Sequence, residues 1–395
     1  MISVVAHKER VRARAAGPKG QALVALSRRI HAHPEVAFAE HRASAWCREL
    51  LERHGFETAV VPGLQTAFVA TRRGVGPGPI IGFLAEYDAL PEIGHGCGHN
   101  LIAGAAVGAG VLLADEMPAL PGTVRVFGCP AEERGAGKVQ MLAAGVFADL
   151  DVALTFHPWQ ATALLRACSG LCLFDLVFRG RAAHAADEPW RGASALDGVL
   201  LTYANLNALR QFIGDGARIH GIVTDGGQAP NVIPERAACT IGVRAADPAT
   251  LEQLARRVVR CAQAAAMAAD VELEVREVQR LAPVRHNETV GNVLAANLRA
   301  LGETVGEWRA MASTDFGDVS QAVPAVLFSV GTWPADVAFH TRAAAACAAT
   351  DRAMAAMLVA AQAMAWTALD LLADSAVVAA AHTEHRGPVP APTGE

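Results

Sequence analysis

The sequence predicts an α/β fold in which a domain built on a mostly parallel sheet is interrupted by a ferredoxin-like α+β domain. Two observations carry this prediction. Up to about residue 165, and again after about residue 285, short apolar runs typical of buried strands alternate with helical patterns. Between these two parts, the elements follow the order strand–helix–strand–strand–helix–strand, which is that of a ferredoxin-like sandwich.

The first domain is predicted from apolar runs that are bounded by turn residues. The runs with the length of buried strands are 80–84, 123–127, 151–156 and 325–330. The helical patterns between and around them are 21–54 with a break at His33-Pro34, 101–116, 137–144 and an alanine-rich helix ending near residue 373. Strands that alternate with helices in this way are expected to pair in parallel.

The inserted domain is predicted from a different order of elements. Its strands are expected at 171–179, 218–225, 236–244 and 271–278, and its helices at 193–212 and 249–268. These patterns assign 1–168 and 283–377 to the first domain and 169–282 to the inserted one. The remaining tail, 378–395, is polar and rich in proline, so we expect it to be disordered.

Composition and charge exclude several classes of function. The net charge of −5 argues against a surface for nucleic acid or for an anionic membrane, since either would require a basic patch. Charged residues begin at His7, and no apolar core of a signal peptide follows. The apolar stretch 353–369 is expected to be a buried helix rather than a membrane span. The eight cysteines show no compact disulfide spacing, so we expect a reduced, cytoplasmic protein.

Acids and histidines follow the predicted parallel strands. Ligands of open parallel sheets bind beyond the carboxyl ends of the strands, and these ends share one edge. The residues that follow the strands are Glu86, Asp88, Glu132, Glu133, His157 and His340. In addition, the glycines of His95-Gly-Cys-Gly-His99 allow the backbone to bend so that Cys97 and His99 point together.

This combination of side chains predicts a metal centre. Thiolate, imidazole and carboxylate together suit zinc, with manganese and cobalt as alternatives. The candidate ligands are Cys97, His99, Glu133, His157 and His340. They exceed the needs of one tetrahedral zinc and suit a pair of ions that activates water and polarises a carbonyl. Glu132, next to a candidate ligand, is the natural proton shuttle. Each feature alone also occurs without function, and only their combination at one edge favours this interpretation.

Several motifs resemble one known family along nearly the whole chain. The motifs are His31-Ala-His-Pro-Glu35, Glu86-Tyr-Asp-Ala-Leu-Pro91, Cys97-Gly-His99, Pro130-Ala-Glu-Glu133, Thr155-Phe-His157 and Phe339-His340. The sequence is similar to the dinuclear metallo-aminoacylase and carboxypeptidase family. Within it, the amidohydrolase branch that includes indole-acetyl-amino-acid hydrolases and p-aminobenzoyl-glutamate hydrolases matches best. The Cys-Gly-His triplet is specific for this branch.

The resemblance implies a role for each matching residue. The five candidate ligands would hold two divalent metal ions, and Glu132 would be the general base and then the acid. Asp88 would be a catalytic acid near the metal centre. Glu86 stands where other branches carry a metal-binding histidine, so it is not counted as a ligand. His31 and His33 are expected to be structural.

The inserted domain matches the lid and dimerisation domain of the family. Gly180-Arg-Ala-Ala-His184 resembles the stretch whose histidine reaches the partner subunit's active site and stabilises the oxyanion. Asn231 would border the substrate, and Arg244 would bind its carboxylate. The competing interpretations are a solvent-exposed loop histidine, a turn asparagine and a surface arginine. The resemblance implies a homodimer formed through the lid, with a tetramer as the alternative.

These observations predict the hydrolysis of an amide bond in a small N-acyl, N-aroyl or N-aminoacyl amino acid. Thr314 lies in a stretch that resembles a pocket-lining loop of the family, where many relatives have Glu. This difference narrows the resemblance to p-aminobenzoyl-glutamate hydrolase subunits and dipeptidases for unusual dipeptides. The alternatives are such a dipeptidase, a biosynthetic deacylase, and a catalytically idle homologue that binds a metal or a ligand. A further rival is a cysteine hydrolase with Cys97 as nucleophile and His99 as base.

Overall fold

The computed structural model describes residues 4–387, which divide into two units. One unit extends to Ala167 and resumes at Val284–Arg309 and from Asp318 onward. The other comprises Cys168–Pro283 together with the short segment Ala310–Gly317. The second unit is therefore inserted in the sequence of the first. It also includes the loop Ala310–Gly317, which lies further along the chain between two segments of the first unit.

The strands of both units are numbered in chain order. They are β1 (Glu57–Val61), β2 (Leu64–Arg73), β3 (Ile80–Glu86), β4 (Thr123–Cys129), β5 (Val152–Trp159), β6 (Ala163–Cys168), β7 (Gly170–Arg179), β8 (Ala217–Asp225), β9 (Arg236–Ala245), β10 (Glu272–Leu281), β11 (Gly306–Ala310) and β12 (Ala325–Gly331).

The helices are numbered in the same way. They are α1 (Val4–Ala15), α2 (Pro18–His31), α3 (His41–Arg53), α4 (His99–Leu113), α5 (Gly137–Ala143), α6 (Ala195–Arg210), α7 (Pro248–Ala268), α8 (Glu288–Ala300), α9 (Phe316–Ala322), α10 (Arg342–Cys347), α11 (Asp351–Ala373) and α12 (Ser375–Arg386).

The first unit contains an eight-stranded sheet in the order β1-β2-β4-β3-β5-β12-β6-β11. Its four central strands, β4, β3, β5 and β12, pair in parallel. They are the four strands that the apolar runs predict, so the predicted fold class is confirmed. Antiparallel pairing of β1 with β2, of β2 with β4 and of β6 with β12 flanks this parallel centre.

Helix α4 forms the centre of the first unit's core and is buried along its whole length. Its glycines permit close packing, because a Cβ atom at Gly104 would lie 2.2 Å from the sulfur of Met357 on α11. Helix α11 is long and apolar enough to cross a membrane, and 72% of its apolar 18-residue stretch is buried inside the protein. Its packing against α4 places the stretch 353–369 in the core, as predicted.

The predicted disorder of the tail 378–395 is wrong for the residues that form α12. Val378 and Ala381 on this helix are buried. The Glu384 carboxylate accepts backbone N–H groups of Glu288 and Thr289 and so caps α8. The alanine-rich sequence favours a helix, and this packing supplies the stability that composition alone does not reveal. Residues 388–395 lie outside the described part of the chain.

The second unit is an antiparallel sheet in the order β10-β7-β9-β8, with α6 and α7 packed against it and against each other. Along the chain the elements run β7-α6-β8-β9-α7-β10, which is the predicted ferredoxin-like order. Helix α7 begins at Pro248 after Asp247, whose side chain accepts the N–H of Thr250. The buried faces of the sheet and of both helices form a separate hydrophobic core.

Candidate metal centre

The carboxyl ends of three of the four parallel strands, β3, β4 and β5, deliver polar side chains to one edge of the sheet. Strand β3 ends at Glu86, and Asp88 follows it. Glu132 and Glu133 follow β4, and His157 lies near the end of β5. The structure brings the candidate ligands together in three overlapping groups. These groups are Cys97/His99/His157, Cys97/Glu133/His340 and His99/Glu132/Glu133, and within each the ligand atoms lie within 4.8 Å of one another.

A tight turn before α4 presents Cys97 and His99 to this edge. Gly98 has a φ angle of +78°, in the left-handed region that favours glycine. A Cβ atom there would lie 2.7 Å from Pro158 Cγ, so the turn also requires a residue without a side chain. The neighbouring Gly96 carbonyl accepts the N–H of His340 at 3.0 Å. This hydrogen bond fixes the loop that carries His340 beside the turn.

The spacing of the ligand atoms fits metal coordination. Two ligands of one tetrahedral zinc ion lie about 3.3–3.8 Å apart, given metal–ligand distances of about 2.0–2.3 Å. Cys97 Sγ lies 3.5 Å from His157 Nε2, and His340 Nε2 lies 3.4 Å from Glu133 Oε2. His99 Nε2 lies 3.8 Å from Glu133 Oε1. Most of these pairs are too far apart for strong hydrogen bonds and close enough to share an ion.

Two atoms of the cluster lack the partner that burial normally demands. His99 Nε2 and Glu133 Oε1 are buried but have no hydrogen-bond partner among residues 4–387. An unpaired polar atom in a protein interior costs about 1–3 kcal/mol, so it requires an explanation. A bound cation would satisfy both atoms. The residues therefore fit the metal centre that the sequence predicts.

The ring nitrogens of two candidate ligands are held in the tautomer that binds metals. His99 Nδ1 donates to Asp88 Oδ1 at 2.9 Å, and His157 Nδ1 donates to the Pro158 carbonyl at 2.9 Å. In the neutral form of each ring, Nε2 therefore presents its lone pair to the cluster. Burial lowers the pKa of His157 to about 4, which maintains its neutral, ligating form near neutral pH.

Asp88 supports two ligands at once. Its Oδ1 atom orients the ring of His99, and its Oδ2 atom accepts the backbone N–H of Glu133 at 3.0 Å. The side chain is buried, with only 1% of the residue exposed. With these contacts Asp88 positions two proposed ligands, whereas the resemblance implies that Asp88 is a catalytic acid. They also supply His99 with the orienting group that the sequence alone does not reveal.

We predict that Asp88→Asn weakens metal binding. Asparagine keeps the shape of the side chain but loses the charge that stabilises His99 as a ligand. The expected loss is about 10–100-fold in metal affinity, measured by competition with a chromogenic chelator. Asp149→Asn is the matched control, because the Asp149 carboxylate pairs with Arg125 and its side chain is 58% exposed. Equal affinities for the two variants would contradict this role of Asp88.

A buried ion pair adjoins the centre. Lys138 is fully buried, and its Nζ atom lies 2.8 Å from Glu86 Oε1. The other oxygen of Glu86 lies 3.6 Å from His99 Nε2. Burial alone would raise the pKa of Glu86, but the charges of Lys138 and the neighbouring histidines outweigh it and lower the pKa. Glu86 is thus held ionised by Lys138, a residue that the sequence analysis did not select.

The loop that carries Glu132 and Glu133 is anchored by a buried carboxyl group. Ala131 has a φ angle of +57°, which is unusual for a residue with a side chain. Its N–H donates to Glu40 Oε1 at 2.9 Å, and the same oxygen accepts the N–H of Phe38 at 3.0 Å. Glu40 is completely buried, and burial raises its pKa to about 7. Glu40 therefore holds the backbone next to Glu132 in place.

We predict that Glu40→Gln reduces the pH dependence of stability. A folded-state pKa of about 7, against 4.5 ordinarily, means that the folded protein binds the proton more tightly than the unfolded chain. The stabilising contribution is therefore full below about pH 4.5, and it falls by about 3 kcal/mol as the pH rises through 7. Glutamine keeps the accepting oxygen and does not ionise.

The measurement is the melting temperature between pH 5 and pH 8. The melting temperature of wild type should fall more over this range than that of Glu40→Gln. Glu57→Gln serves as control, since the side chain of Glu57 is 77% exposed on the surface. Parallel pH profiles for wild type and Glu40→Gln would rule out a raised pKa at Glu40.

Two predicted lid residues lie together in the second unit. The Nδ1 atom of His184 accepts the backbone N–H of Asp187 at 3.1 Å and that of Ala186 at 3.3 Å. Nε2 of the neutral ring therefore carries the hydrogen and is available as a donor on this exposed side chain. The Asn231 carbonyl accepts the N–H of Ala185 at 3.0 Å. This contact places the predicted Asn231 on the segment next to His184.

The third predicted lid residue, Arg244, lies on β9 elsewhere in the second unit. Its Nη1 atom donates to Ser313 Oγ at 2.6 Å, and its Nε atom donates to His220 Nε2 at 3.2 Å. Ser313 belongs to the additional loop 310–317 of this unit. The guanidinium is half-buried, so it is more constrained than the surface arginine of the competing interpretation.

Sequence reasoning missed several residues around the centre. These are Glu40, Lys138, Trp159 and Trp308, and Phe339 was quoted only as part of a motif with no role assigned to it. A signal existed for two of the rings, because Trp159 lies two residues after His157 and Phe339 immediately precedes His340. Nothing local in the sequence marks the other three.

Comparison with known proteins identifies the family. Residues 82–366 match the model described as Peptidase family M20/M25/M40. An Xaa-Arg dipeptidase of Mus musculus is 37% identical, covering 92% of this chain and 89% of that protein. One of the p-aminobenzoyl-glutamate hydrolase subunits of Escherichia coli is 31% identical, covering 91% of each.

Solved structures share the fold. A putative aminohydrolase from methicillin resistant Staphylococcus aureus superposes with a TM-score of 0.79 at 18% identity, covering 92% of this chain and 98% of that one. A dinuclear metal binding peptidase of Bacillus subtilis gives 0.72 at 23% identity, covering 89% of this chain and 98% of that one. The family match confirms the amide-bond hydrolase that the motifs predict, and the chain belongs to the peptidase family M20/M25/M40.

Proposed function

We propose that this protein hydrolyses the amide bond of a small N-acyl, N-aroyl or N-aminoacyl amino acid at a centre of two divalent metal ions. The observation that carries the proposal is the overlap of three ligand groups around the buried, unpartnered atoms His99 Nε2 and Glu133 Oε1. Overlapping groups support two adjacent ions rather than one. Zinc or manganese is proposed, with cobalt as a further candidate.

Cys97, His99, Glu133, His157 and His340 are the proposed ligands of these ions. When bound, the ions polarise the substrate carbonyl and lower the pKa of water. Asp88 and the Pro158 carbonyl keep the imidazoles of His99 and His157 oriented. Lys138 neutralises Glu86, so that one negative charge of the site is balanced by the protein itself.

Glu132 is the proposed general base. It takes a proton from the attacking water as the new C–O bond forms, and it returns a proton to the leaving nitrogen as the C–N bond breaks. Its Oε2 atom lies 3.9 Å from His99 Nε2, and 14% of its side chain is exposed. This position supports a group that reaches both the centre and the substrate.

The lid residues complete the proposal. His184, whose Nε2–H is available as a donor, is proposed to stabilise the oxyanion. Asn231 is proposed to border the substrate, and the Arg244 guanidinium to bind its carboxylate. We propose a homodimer formed through the lid domain, in which each subunit provides its His184 to the active site of the other. The proposed location is the cytoplasm.

Relatives support a small acylated amino acid as substrate. They include an Xaa-Arg dipeptidase, a p-aminobenzoyl-glutamate hydrolase subunit and an IAA-amino acid hydrolase ILR1-like protein of Arabidopsis thaliana, the last at 27% identity. Each of these names describes a substrate in which an acyl or aminoacyl group is joined to an amino acid. A dipeptidase for unusual dipeptides and a biosynthetic deacylase are alternatives that use the same site.

The proposal is tested by amine release from a panel of N-acetyl, N-benzoyl and aminoacyl derivatives of one amino acid series. We expect the protein to hydrolyse at least one of these three types of derivative. The type that it hydrolyses fastest distinguishes an acylase from a dipeptidase. Esters of the same acyl groups are assayed in parallel, to establish that the protein prefers an amide bond to an ester bond. Tight binding of two metal ions without turnover of any amide would favour the catalytically idle homologue instead.

A further inference from the structure

Three aromatic rings of the first unit form a stack beside the metal centre. The rings of Trp159 and Trp308 are nearly parallel, at 14°, with centroids 4.4 Å apart. The rings of Trp159 and Phe339 are inclined by 22°, with centroids 5.0 Å apart. Trp159 ends β5, Trp308 lies on β11, and Phe339 lies in the loop before His340. We call these three residues the aromatic stack.

The aromatic stack borders the proposed metal ligands. The Phe339 ring meets the His157 ring edge-on, with centroids 5.2 Å apart. The Trp308 ring lies 6.3 Å from the same imidazole. Phe339 also directly precedes His340 in the sequence. A group held against the stack is therefore close to the reacting bond.

The stack differs from an ordinary core cluster in its burial. Trp333, which meets Phe339 edge-on at 5.4 Å, is only 1% exposed and serves the core. The three rings of the stack are instead each half-buried. Large apolar rings that keep exposed surface at the edge of a site are typical of binding surfaces.

Hydrogen bonds hold the backbone near two of the three residues of the stack. The Trp159 carbonyl accepts the N–H of Thr332 at 2.7 Å. The side chain of the next residue, Gln160, donates to the Val337 carbonyl at 3.1 Å, which ties the loop of Phe339 to the end of β5. A surface that is ordered before binding loses little entropy when it receives a ligand.

We propose that the aromatic stack selects substrates that carry a planar π-group, either an aryl ring or a guanidinium. Both groups bind to an indole face, the first by stacking and the second by cation–π attraction. The inference rests on the proposed function and assigns the substrate class of the same site.

The test compares Trp308→Leu, which removes the indole at one end of the stack, with Trp308→Phe, which keeps an aromatic ring there. One arm measures kcat/KM for N-benzoyl-alanine against N-acetyl-alanine. The other arm measures alanyl-arginine against alanyl-norleucine. Trp46→Leu is the control, since the Trp46 ring is covered by Arg29 at 4.0 Å and lies outside the proposed site. Calorimetric titration of the same compounds into EDTA-treated protein provides a readout without turnover.

Trp308→Leu is expected to lower kcat/KM about tenfold for one planar substrate, and less than twofold for its aliphatic counterpart. Trp308→Phe should recover most of the loss, and Trp46→Leu should leave the ratio unchanged. The arm that responds identifies the aryl or the guanidinium group. An equal loss in all four compounds, or none in either arm, overturns the proposal.

The two proposals fail in different ways. If wild type hydrolyses the aliphatic amides but the ratios do not respond to Trp308→Leu, the assignment of the stack is wrong and the hydrolase stands. If no amide is hydrolysed, the proposed function fails. In that case the calorimetric arm still decides the stack, because selective weakening of benzoyl or arginyl binding supports it and uniform binding contradicts it.

Discussion

Replacing Glu132 by glutamine is expected to lower kcat by about 10²–10⁴-fold while leaving the metal content unchanged. Glutamine matches the shape of glutamate but cannot take up a proton from water and return it to the leaving nitrogen. The carboxylate lies at the rim of the cluster, 3.9 Å from His99 Nε2, and its backbone is held through Ala131 by Glu40. The change should therefore disturb the chemistry more than the local structure.

The decisive measurement pairs kcat with metal content determined by elemental analysis. Glu49→Gln is a suitable control, since Glu49 pairs with Arg53 on the surface and its side chain is 51% exposed. Near-wild-type turnover would remove Glu132 from the role of base. Loss of a metal ion together with turnover would instead make Glu132 a ligand, as its membership of the His99/Glu132/Glu133 group permits.

Replacing Cys97 by alanine is expected to have an effect at least as large. Cys97 belongs to two of the three ligand groups, so its removal takes a thiolate from both parts of the centre. The loss of activity should exceed the 10–100-fold typical of an outer-shell partner, and the bound metal should fall from two ions to one or fewer. Cys261→Ala, a change in the second unit, should leave both quantities unchanged.

The same variant separates the metal centre from the rival cysteine hydrolase. Burial raises the pKa of the Cys97 thiol, which disfavours a free nucleophilic thiolate in the absence of a metal. Cys97 Sγ lies 3.5 Å from His157 Nε2 and also interacts with the predicted base, His99, so the thiol is next to two imidazoles of the cluster. A Cys97→Ala variant that retains all its metal but loses all activity would revive the nucleophile hypothesis.

The elements that could be predicted are those whose own sequence encodes burial. Strands β3, β4, β5 and β12 are continuous apolar runs, and α7 combines an N-cap, a first-turn proline and an apolar face. Strands β1 and β2 were missed because each has only a short apolar run, 59–61 and 67–70, flanked by polar residues. Helix α1 was missed because it is rich in charge and buries only His7, Val11 and Ala15. Its attachment depends on Glu116, which is distant in the sequence and forms ion pairs with Arg10 and Arg14.

The residues of the candidate site also fall into two groups, those that the local sequence marks and those that only tertiary packing brings to the site. The proposed ligands follow strand ends or glycine-flanked turns, so the chain order alone brings them to one edge. Lys138, Glu40 and Trp308 arrive from segments whose approach is set by tertiary packing. A lysine on a short helix is expected in solvent, yet Lys138 is fully buried because Glu86 pairs with it. No local pattern distinguishes such a residue from a surface lysine.

Metal removal and return test the central claim most directly. The purified protein is assayed for amine release from its preferred N-acyl amino acid or dipeptide, before and after dialysis against EDTA, with the bound metal counted at each stage. We expect activity to disappear as two ions per chain are lost, and to return when zinc, manganese or cobalt is added. Full activity in protein shown to contain no metal would contradict a dinuclear hydrolase built on Cys97, His99, Glu133, His157 and His340.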